Sequence, residues 1–197
     1  DVLRRADLDV TVANEVAALV DDQGSATIGY LNIHVANLAA KDPDLTAFLQ
    51  GLDVCYCDGE GIRLGARLLG EKLPVRMTGA DWIWPLAERA EGKWRIFWLG
   101  GEPGVTAEAA SVLQGSHPGL EIDTDHGFHG PGEQEALLGR INGFQPHIVL
   151  VGMGTPVQES WVKTWRDRVD APVVWCLGAT ADFVAGHVDR GPAFLHQ

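Results

Sequence analysis

A chain of 197 residues, 46% of them hydrophobic, is long enough to bury one substantial core and too apolar to be disordered. Its formal net charge of −12 argues against nucleic acid as a partner, because phosphate binding requires a basic face. No apolar run approaches the roughly 20 residues that a membrane-spanning helix needs, so we expect no transmembrane segment.

Apolar runs and helical patterns alternate along the chain. Six runs predict strands: Thr27–Leu31, Val54–Cys57, Arg95–Leu99, Leu120–Asp123, Ile148–Val151 and Val173–Leu177. Apolar residues at helical spacing predict helices: Val12–Val20, Val35–Ala40, Pro43–Gln50, Ile62–Leu69, Gly79–Ala90, Val105–Gly115, Gly132–Asn142 and Pro156–Val169. This alternation indicates an α/β fold: a single Rossmann-like domain, residues 1–197, with a mainly parallel sheet flanked by helices.

The three cysteines show no zinc-ligand spacing. Cys55 and Cys57 lie two residues apart on one predicted strand, and Cys176 lies in another apolar run. We interpret all three as buried small hydrophobic residues of a protein in a reducing compartment.

The segment 147–161, HIVLVGMGTPVQESW, is the most informative in the chain. It predicts a buried strand, a glycine turn at Gly152 and Gly154, and a helix opened by Thr155 and Pro156, with Pro156 in the first helical turn. A parallel strand that ends in such a turn is where α/β proteins bind anions, because backbone N–H groups and the helix dipole point there. An ordinary βα turn is the alternative.

Two polar residues follow in that helix, Gln158 and Glu159. A helix that needed only a start signal would not require them, since Thr155 and Pro156 already supply one. We therefore expect Gln158 to serve the site rather than the stability of the domain.

A second informative segment, 52–64, places Asp58 at the carboxyl end of a short apolar run and next to Gly59 and Gly61. A carboxylate in that position is closely approachable and suits a general base. The alternative is that Asp58 caps the helix that follows.

Taken together, these segments resemble the WecG/TagA/CpsF family of bacterial glycosyltransferases from about Val10 to Gln197. The landmarks occur in order: Asn32 in YLNIHVANLA, DGEGI at 58–62, LPVRMTGAD at 73–81, WLGGEPG at 98–104, DHGFHG at 125–130, VGMGTPVQESW at 151–161 and GATADFVAGHVDRGP at 178–192.

The resemblance implies an inverting transfer of a hexose or N-acetylhexosamine, N-acetylmannosamine-like, from a UDP-sugar to a polyprenyl-diphosphate-linked saccharide in cell-surface polysaccharide or teichoic acid synthesis. Asp58 would be the general base, and Gln158 and Asn32 would orient the sugar or the acceptor. Tyr30 stands where some members have threonine, which leaves the sugar open. The further substrate-binding candidates are Gly59, Gly61, Arg76, Thr78, Gly100, Gly101, Gly152, Gly154, Thr155, Pro156, Glu159 and Asp182.

Several of these candidates have structural alternatives. Arg76 could pair with a phosphate through its planar guanidinium or be a solvated loop residue. Thr78 and Asp81 are also the start signals of a helix. Trp82 and Trp84 in that helix are interpreted as packing residues.

No metal or other cofactor is expected. His126 and His129 could ligate a metal, but the sequence offers no evident third ligand, and the Asp-x-Asp pair at Asp123 and Asp125 is interpreted as solvated.

The resemblance also bears on partners and location. The family usually carries a basic, amphipathic C-terminal segment, which would dock this acidic core on a membrane surface. We therefore expect a cytoplasmic protein, peripheral at the inner face of the plasma membrane in full-length form, and we leave open whether it forms a homo-oligomer.

The runner-up is an NAD(P)-dependent Rossmann oxidoreductase, because residues 99–104 follow a strand and Asp123 lies near the ribose-reading position. Leu99 replaces the first glycine of the dinucleotide motif and Pro103 occupies its turn, so this interpretation is weaker.

Overall fold

The computed structural model describes residues 11–22, 24–71 and 78–188. The strands are β1 (Ala26–Leu31), β2 (Val54–Cys57), β3 (Arg95–Gly100), β4 (Glu121–Asp125), β5 (Ile148–Gly152) and β6 (Val173–Cys176). The helices are α1 (Thr11–Asp21), α2 (Ile33–Ala39), α3 (Pro43–Gln50), α4 (Glu60–Leu68), α5 (Gly79–Ala90), α6 (Val105–Ser116), α7 (Gln134–Phe144), α8 (Val157–Trp165) and α9 (Thr180–Val184).

The strands form one sheet in the order β2-β1-β6-β5-β3-β4, and every neighbouring pair is parallel. The predicted α/β fold with a parallel sheet is therefore confirmed. Since all strands run the same way, their carboxyl ends meet at one edge, where α/β proteins bind ligands. β1 lies between β2 and β6, so its carboxyl end is central to the half of that edge that carries Asp58.

The interior strands β5 and β6 contain no polar side chain because helices cover both faces of the sheet. Ile148 to Val151 of β5 are fully buried. Trp82 of α5 stacks on Trp175 of β6, with ring centroids 3.6 Å apart and planes 12° from parallel, so Trp82 is a packing residue as expected. The cysteines are buried and unbridged, also as expected.

The starts of three helices differ by two residues from the sequence prediction, and one of them is α7, which begins at Gln134 and not at Gly132. α2 begins at Ile33 because Asn32 caps it, its side chain accepting a hydrogen bond from the Val35 backbone N–H. α4 begins at Glu60, directly after Gly59, whose φ of 95° takes the chain out of the strand. The short helix α9 was not predicted, because five residues are too few to show a helical period.

The predicted helix Pro156–Val169 is wrong at both ends. Pro156 has φ −95° and ψ 8° and precedes the first helical residue, Val157, so it does not occupy the first turn. α8 ends at Trp165 and a 3-10 turn, Arg166–Arg168, follows. The Arg166 guanidinium tightens this end by donating to carbonyl groups of the connection to β6.

Candidate functional site

Two polar residues, Asn32 and Asp58, lie side by side directly after the carboxyl ends of β1 and β2. Leu31 pairs with Cys57 in the strand register, so Asn32 and Asp58 follow at the same level. The Asn32 amide Nδ2 donates a hydrogen bond to Asp58 Oδ2 at 3.2 Å. Because Asn32 Oδ1 accepts from the Val35 N–H at 2.9 Å, the amide is fixed in orientation and holds the carboxylate in place.

Asp58 does not occupy the N-cap position of α4, which was the structural alternative for this residue. That position belongs to Gly59, where the positive φ favours glycine. Asp58 is half-buried at the strand end. Gly61 follows in the first turn of α4, and a Cβ there would lie 3.4 Å from the Ile33 side chain, so a small residue lets α2 and α4 approach closely beside the carboxylate.

A polar cluster lies on the neighbouring part of the edge and consists of the buried Tyr30, Gln158 and Glu159 and the half-buried Thr155. Gln158 is at its centre and is 0% exposed. Its Nε2 donates to Glu159 Oε1 at 2.8 Å and to Tyr30 Oη at 3.4 Å, and its Oε1 accepts from the Gly178 N–H at 3.0 Å. The sequence did not predict this packing role. All the hydrogen-bonding groups of the amide have partners inside the protein. Gln158 therefore positions Tyr30, Glu159 and Gly178.

Burial also governs ionisation in this cluster. Desolvation raises the pKa of the Glu159 carboxyl, against the hydrogen bonds that Gln158 and Thr155 donate to it. Burial raises the pKa of Tyr30 to about 12, and the nearby Glu159 charge acts in the same direction. Glu159 Oε2 is buried and has no hydrogen-bond partner among the described residues. The cluster therefore favours neutral side chains.

The strand-end glycines are required by close backbone packing. A Cβ on Gly152 would lie 2.6 Å from the Gly178 carbonyl oxygen, and a Cβ on Gly100 would collide with the Gly152 carbonyl. Gly101 has φ 66° and donates its N–H to the Gly152 carbonyl at 2.9 Å. Gly154, with φ 74°, turns the chain toward α8 and has open space around it. Phosphate binding by these turns stays a prediction.

The remaining candidates lie farther along the edge. Thr78 precedes α5 and its hydroxyl donates to Asp81 at 2.6 Å, which fits the helix-start interpretation. Asp182 is a half-buried residue of α9. A cleft of about 370 Å³ lies between the two helices and is lined by Ala80, Asp81, Trp84, Phe183 and Val184. Arg76 lies outside the described residues.

The expectation that His126 and His129 lack a third ligand is wrong, because a third residue lies close enough to share a metal ion with them. Asp125 joins them, and the three ligand atoms lie within 4.8 Å of one another. Asp125 was identifiable from its position four residues before His129. However, Asp125 Oδ1 is bonded to His129 Nε2 at 3.2 Å, and the Arg140 guanidinium bonds both Asp125 and Asp123 at 2.8 Å. The Asp-x-Asp pair is therefore an ion-paired site, where a cation would compete with Arg140.

With the fold and the strand-end carboxylate described, comparison with known proteins defines the class of this chain as a glycosyltransferase. Residues 3–197 match the glycosyl transferase WecG/TagA/CpsF family, and the chain belongs to that family. It is 29% identical over 178 residues to the N-acetylglucosaminyldiphosphoundecaprenol N-acetyl-beta-D-mannosaminyltransferase of Bacillus spizizenii. That match covers 89% of this chain and 68% of the relative.

The family membership does not favour the oxidoreductase alternative, and the geometry agrees. Asp123, the residue at the ribose-reading position, is bonded to Arg140. As to membranes, the described part of the chain contains no helix with the length and apolar character of a membrane span.

Proposed function

We propose that this glycosyltransferase moves a hexose or N-acetylhexosamine from a UDP-sugar to a polyprenyl-diphosphate-linked saccharide, with inversion at the anomeric carbon. The family match and the relative support the proposal, since the name of the relative states a diphosphoundecaprenol-linked acceptor and a β-linked mannosaminyl product. The product would be a precursor of a cell-surface polymer, and the sugar transfer would take place at the inner face of the plasma membrane.

The observation that carries the proposal is the Asn32–Asp58 pair. The Asp58 carboxylate is half-buried at the ligand edge of a parallel sheet and is held at 3.2 Å by Asn32, the residue that caps α2. It therefore has the fixed position that a general base needs. In the proposed reaction Asp58 accepts the proton of the acceptor hydroxyl. The hydroxyl oxygen forms a bond to the anomeric carbon as the bond to the UDP oxygen breaks. A direct displacement of this kind inverts the configuration.

The other side of the site would receive the departing diphosphate. The turn from β5 to α8 and the Gly100–Gly101 turn end strands at the same edge. Unpaired backbone N–H groups at such turns bind phosphate, although the Gly101 N–H already donates to the Gly152 carbonyl. Arg76 would add a positive charge to this side. The Gln158 cluster would act indirectly, by fixing Tyr30 and the β6–α9 turn in place beside the proposed sugar site.

A donor screen tests the proposal. The protein is incubated with a lipid-linked disaccharide or monosaccharide acceptor analogue and a panel of sugars activated by UDP or by another nucleotide, and release of the free nucleotide is measured. The expected result is acceptor-dependent UDP release with one UDP-hexose or UDP-N-acetylhexosamine, and a β-linked product by NMR. An α-linked product would overturn the inverting mechanism. Release from a sugar activated by another nucleotide, and from no UDP-sugar, would overturn the donor assignment.

A further inference from the structure

Helix α4 presents an apolar face that no described residue covers. Among the described residues, no side chain of α4 is buried, in contrast to the helices that pack on the sheet. Leu64 is 60% exposed, Leu68 81% and Leu69, directly after the helix, 84%. Single exposed hydrophobic residues are ordinary on protein surfaces, but adjacent large ones mark an interaction site.

These residues form one continuous surface. Gly61, Leu64 and Leu68 are spaced three and four residues apart, so they lie on the same side of the helix. Ile33 of α2 borders this side at Gly61 and is itself 50% exposed. We call the surface formed by Ile33, Leu64, Leu68 and Leu69 the α4 face.

The charge of α4 contrasts with that of the whole chain. The chain carries −12, whereas α4 contains Arg63 and Arg67 and one acidic residue, Glu60. Glu60 pairs with Arg63 at 2.7 Å, which leaves the exposed Arg67 at the margin of the α4 face. Exposed leucines with flanking arginines are typical of helices that lie in the interface of an anionic bilayer.

The α4 face also adjoins the candidate site. Ile33 directly follows Asn32, and α4 begins two residues after Asp58. The α4 face therefore starts next to Asn32 at Ile33, and the helix that carries its leucines starts close to Asp58. A surface resting on this face would lie beside the carboxylate, at the place where a lipid-linked acceptor has to present its sugar hydroxyl.

We propose that the α4 face docks the protein on the surface of an anionic lipid bilayer, with Leu64, Leu68 and Leu69 in the boundary between headgroups and acyl chains and Arg67 at the headgroup phosphates. The docked orientation places the Asn32–Asp58 edge next to the membrane. The assignment of the acceptor rests on the proposed function, but docking itself is independent of catalysis and is measured without substrates.

The test uses co-sedimentation of the 197-residue chain with vesicles of phosphatidylglycerol and phosphatidylcholine, and with vesicles of phosphatidylcholine alone. The chain should bind the anionic vesicles more tightly. Leu68→Ser should weaken binding several-fold and the double variant Leu64→Ser/Leu68→Ser about ten-fold or more, since burial of each leucine contributes on the order of 1 kcal/mol or more. The matched control is Val112→Ser, an exposed apolar residue of α6 that is 42% exposed and should not affect binding.

Arg67→Gln provides a variant that leaves the leucines intact. It should weaken binding to the anionic vesicles and leave binding to the neutral ones unchanged. The proposal would be overturned if the wild-type protein bound neither kind of vesicle, or if the leucine variants bound like wild type. It would also be overturned by leucine variants that change the sedimentation coefficient of the free protein and not its vesicle binding, because the α4 face would then join two copies.

Transfer assays separate this inference from the proposed function. If both hold, the leucine variants transfer normally to a short-chain, water-soluble acceptor and poorly to a vesicle-embedded one. If the chain binds vesicles as expected but no UDP-sugar is used, the proposed function fails while the docking surface stands.

Discussion

The side-chain carbonyl of Gln158 accepts a hydrogen bond from the backbone N–H of Gly178 at 3.0 Å, which ties the start of α8 to the turn after β6. Gly178 has φ 61°, and a Cβ there would lie 2.7 Å from Tyr30 Oη, so the turn, the tyrosine and the glutamine fix one another. The order at this edge of the sheet depends on a side chain with no access to solvent.

Gln158→Ala should therefore destabilise the domain as well as lower transfer. It leaves the Gly178 N–H without its side-chain partner and opens a cavity, for an expected loss of roughly 2–4 kcal/mol in the free energy of unfolding. Urea denaturation followed by circular dichroism measures this loss. Gln114→Ala is the control, because exposed Gln114 makes one hydrogen bond, to the Leu120 carbonyl, and should cost less than about 1 kcal/mol. Equal stabilities for wild type and Gln158→Ala would contradict the packing role.

Asp58→Asn should preserve the fold and remove most transfer activity. The amide oxygen can still accept from Asn32 but cannot accept a proton at neutral pH, and loss of a general base typically costs about 10²–10⁴ in rate. The measurement is kcat for UDP release, with the melting temperature as a check on folding. Asp44→Asn, which removes an exposed carboxylate paired with Lys163, is the control and should leave kcat unchanged. Near-normal turnover by Asp58→Asn would remove Asp58 from the mechanism.

Two substitutions of Asn32 separate its two hydrogen bonds. Asn32→Ser retains a good N-cap for α2 but loses the side-chain amide NH₂ that reaches Asp58. The free energy of unfolding should stay within about 1 kcal/mol while kcat falls roughly ten-fold or more. Asn32→Ala loses both and should also lose about 0.5–2 kcal/mol of stability. If the serine variant had wild-type kcat, Asn32 would be a cap and nothing more.

Glu159→Gln should change how stability depends on pH. The folded-state pKa of Glu159 is raised by burial, so the folded protein holds this proton more tightly than the unfolded chain. Its contribution to stability is full below the ordinary glutamate value of about 4.3 and is lost as pH rises through the raised folded value. Tyr30 and Cys176 stay neutral in this window because burial raises their pKa values too.

The glutamine keeps an oxygen for the Thr155 and Gln158 donors and carries no charge at any pH. The free energy of unfolding of Glu159→Gln minus that of wild type should therefore be larger at about pH 8 than at about pH 5. Urea denaturation at both pH values measures the difference. The exposed Glu88→Gln serves as the control and should show no such change. A wild-type to Glu159→Gln difference that is the same at both pH values would show that Glu159 is ionised in the folded protein.

The sequence by itself determined most of the helices and strands and the position of the candidate carboxylate. Strands such as Val54–Cys57 and helices such as Pro43–Gln50 and Gly79–Ala90 have the predicted bounds, because apolar spacing and helix caps are local properties of the chain. The position of Asp58 at a strand end follows from the same local pattern. The motifs in order also sufficed for the family.

The tertiary structure decided which distant residues meet. The register Leu31–Cys57 joins Asn32 to Asp58, and the order of β1, β6 and β5 brings Gln158 to Gly178, neither of which a local pattern encodes. The same holds for burial. The spacing of Leu64 and Leu68 predicts an amphipathic helix but not whether its apolar side faces the core or the outside, because that depends on where the other helices pack.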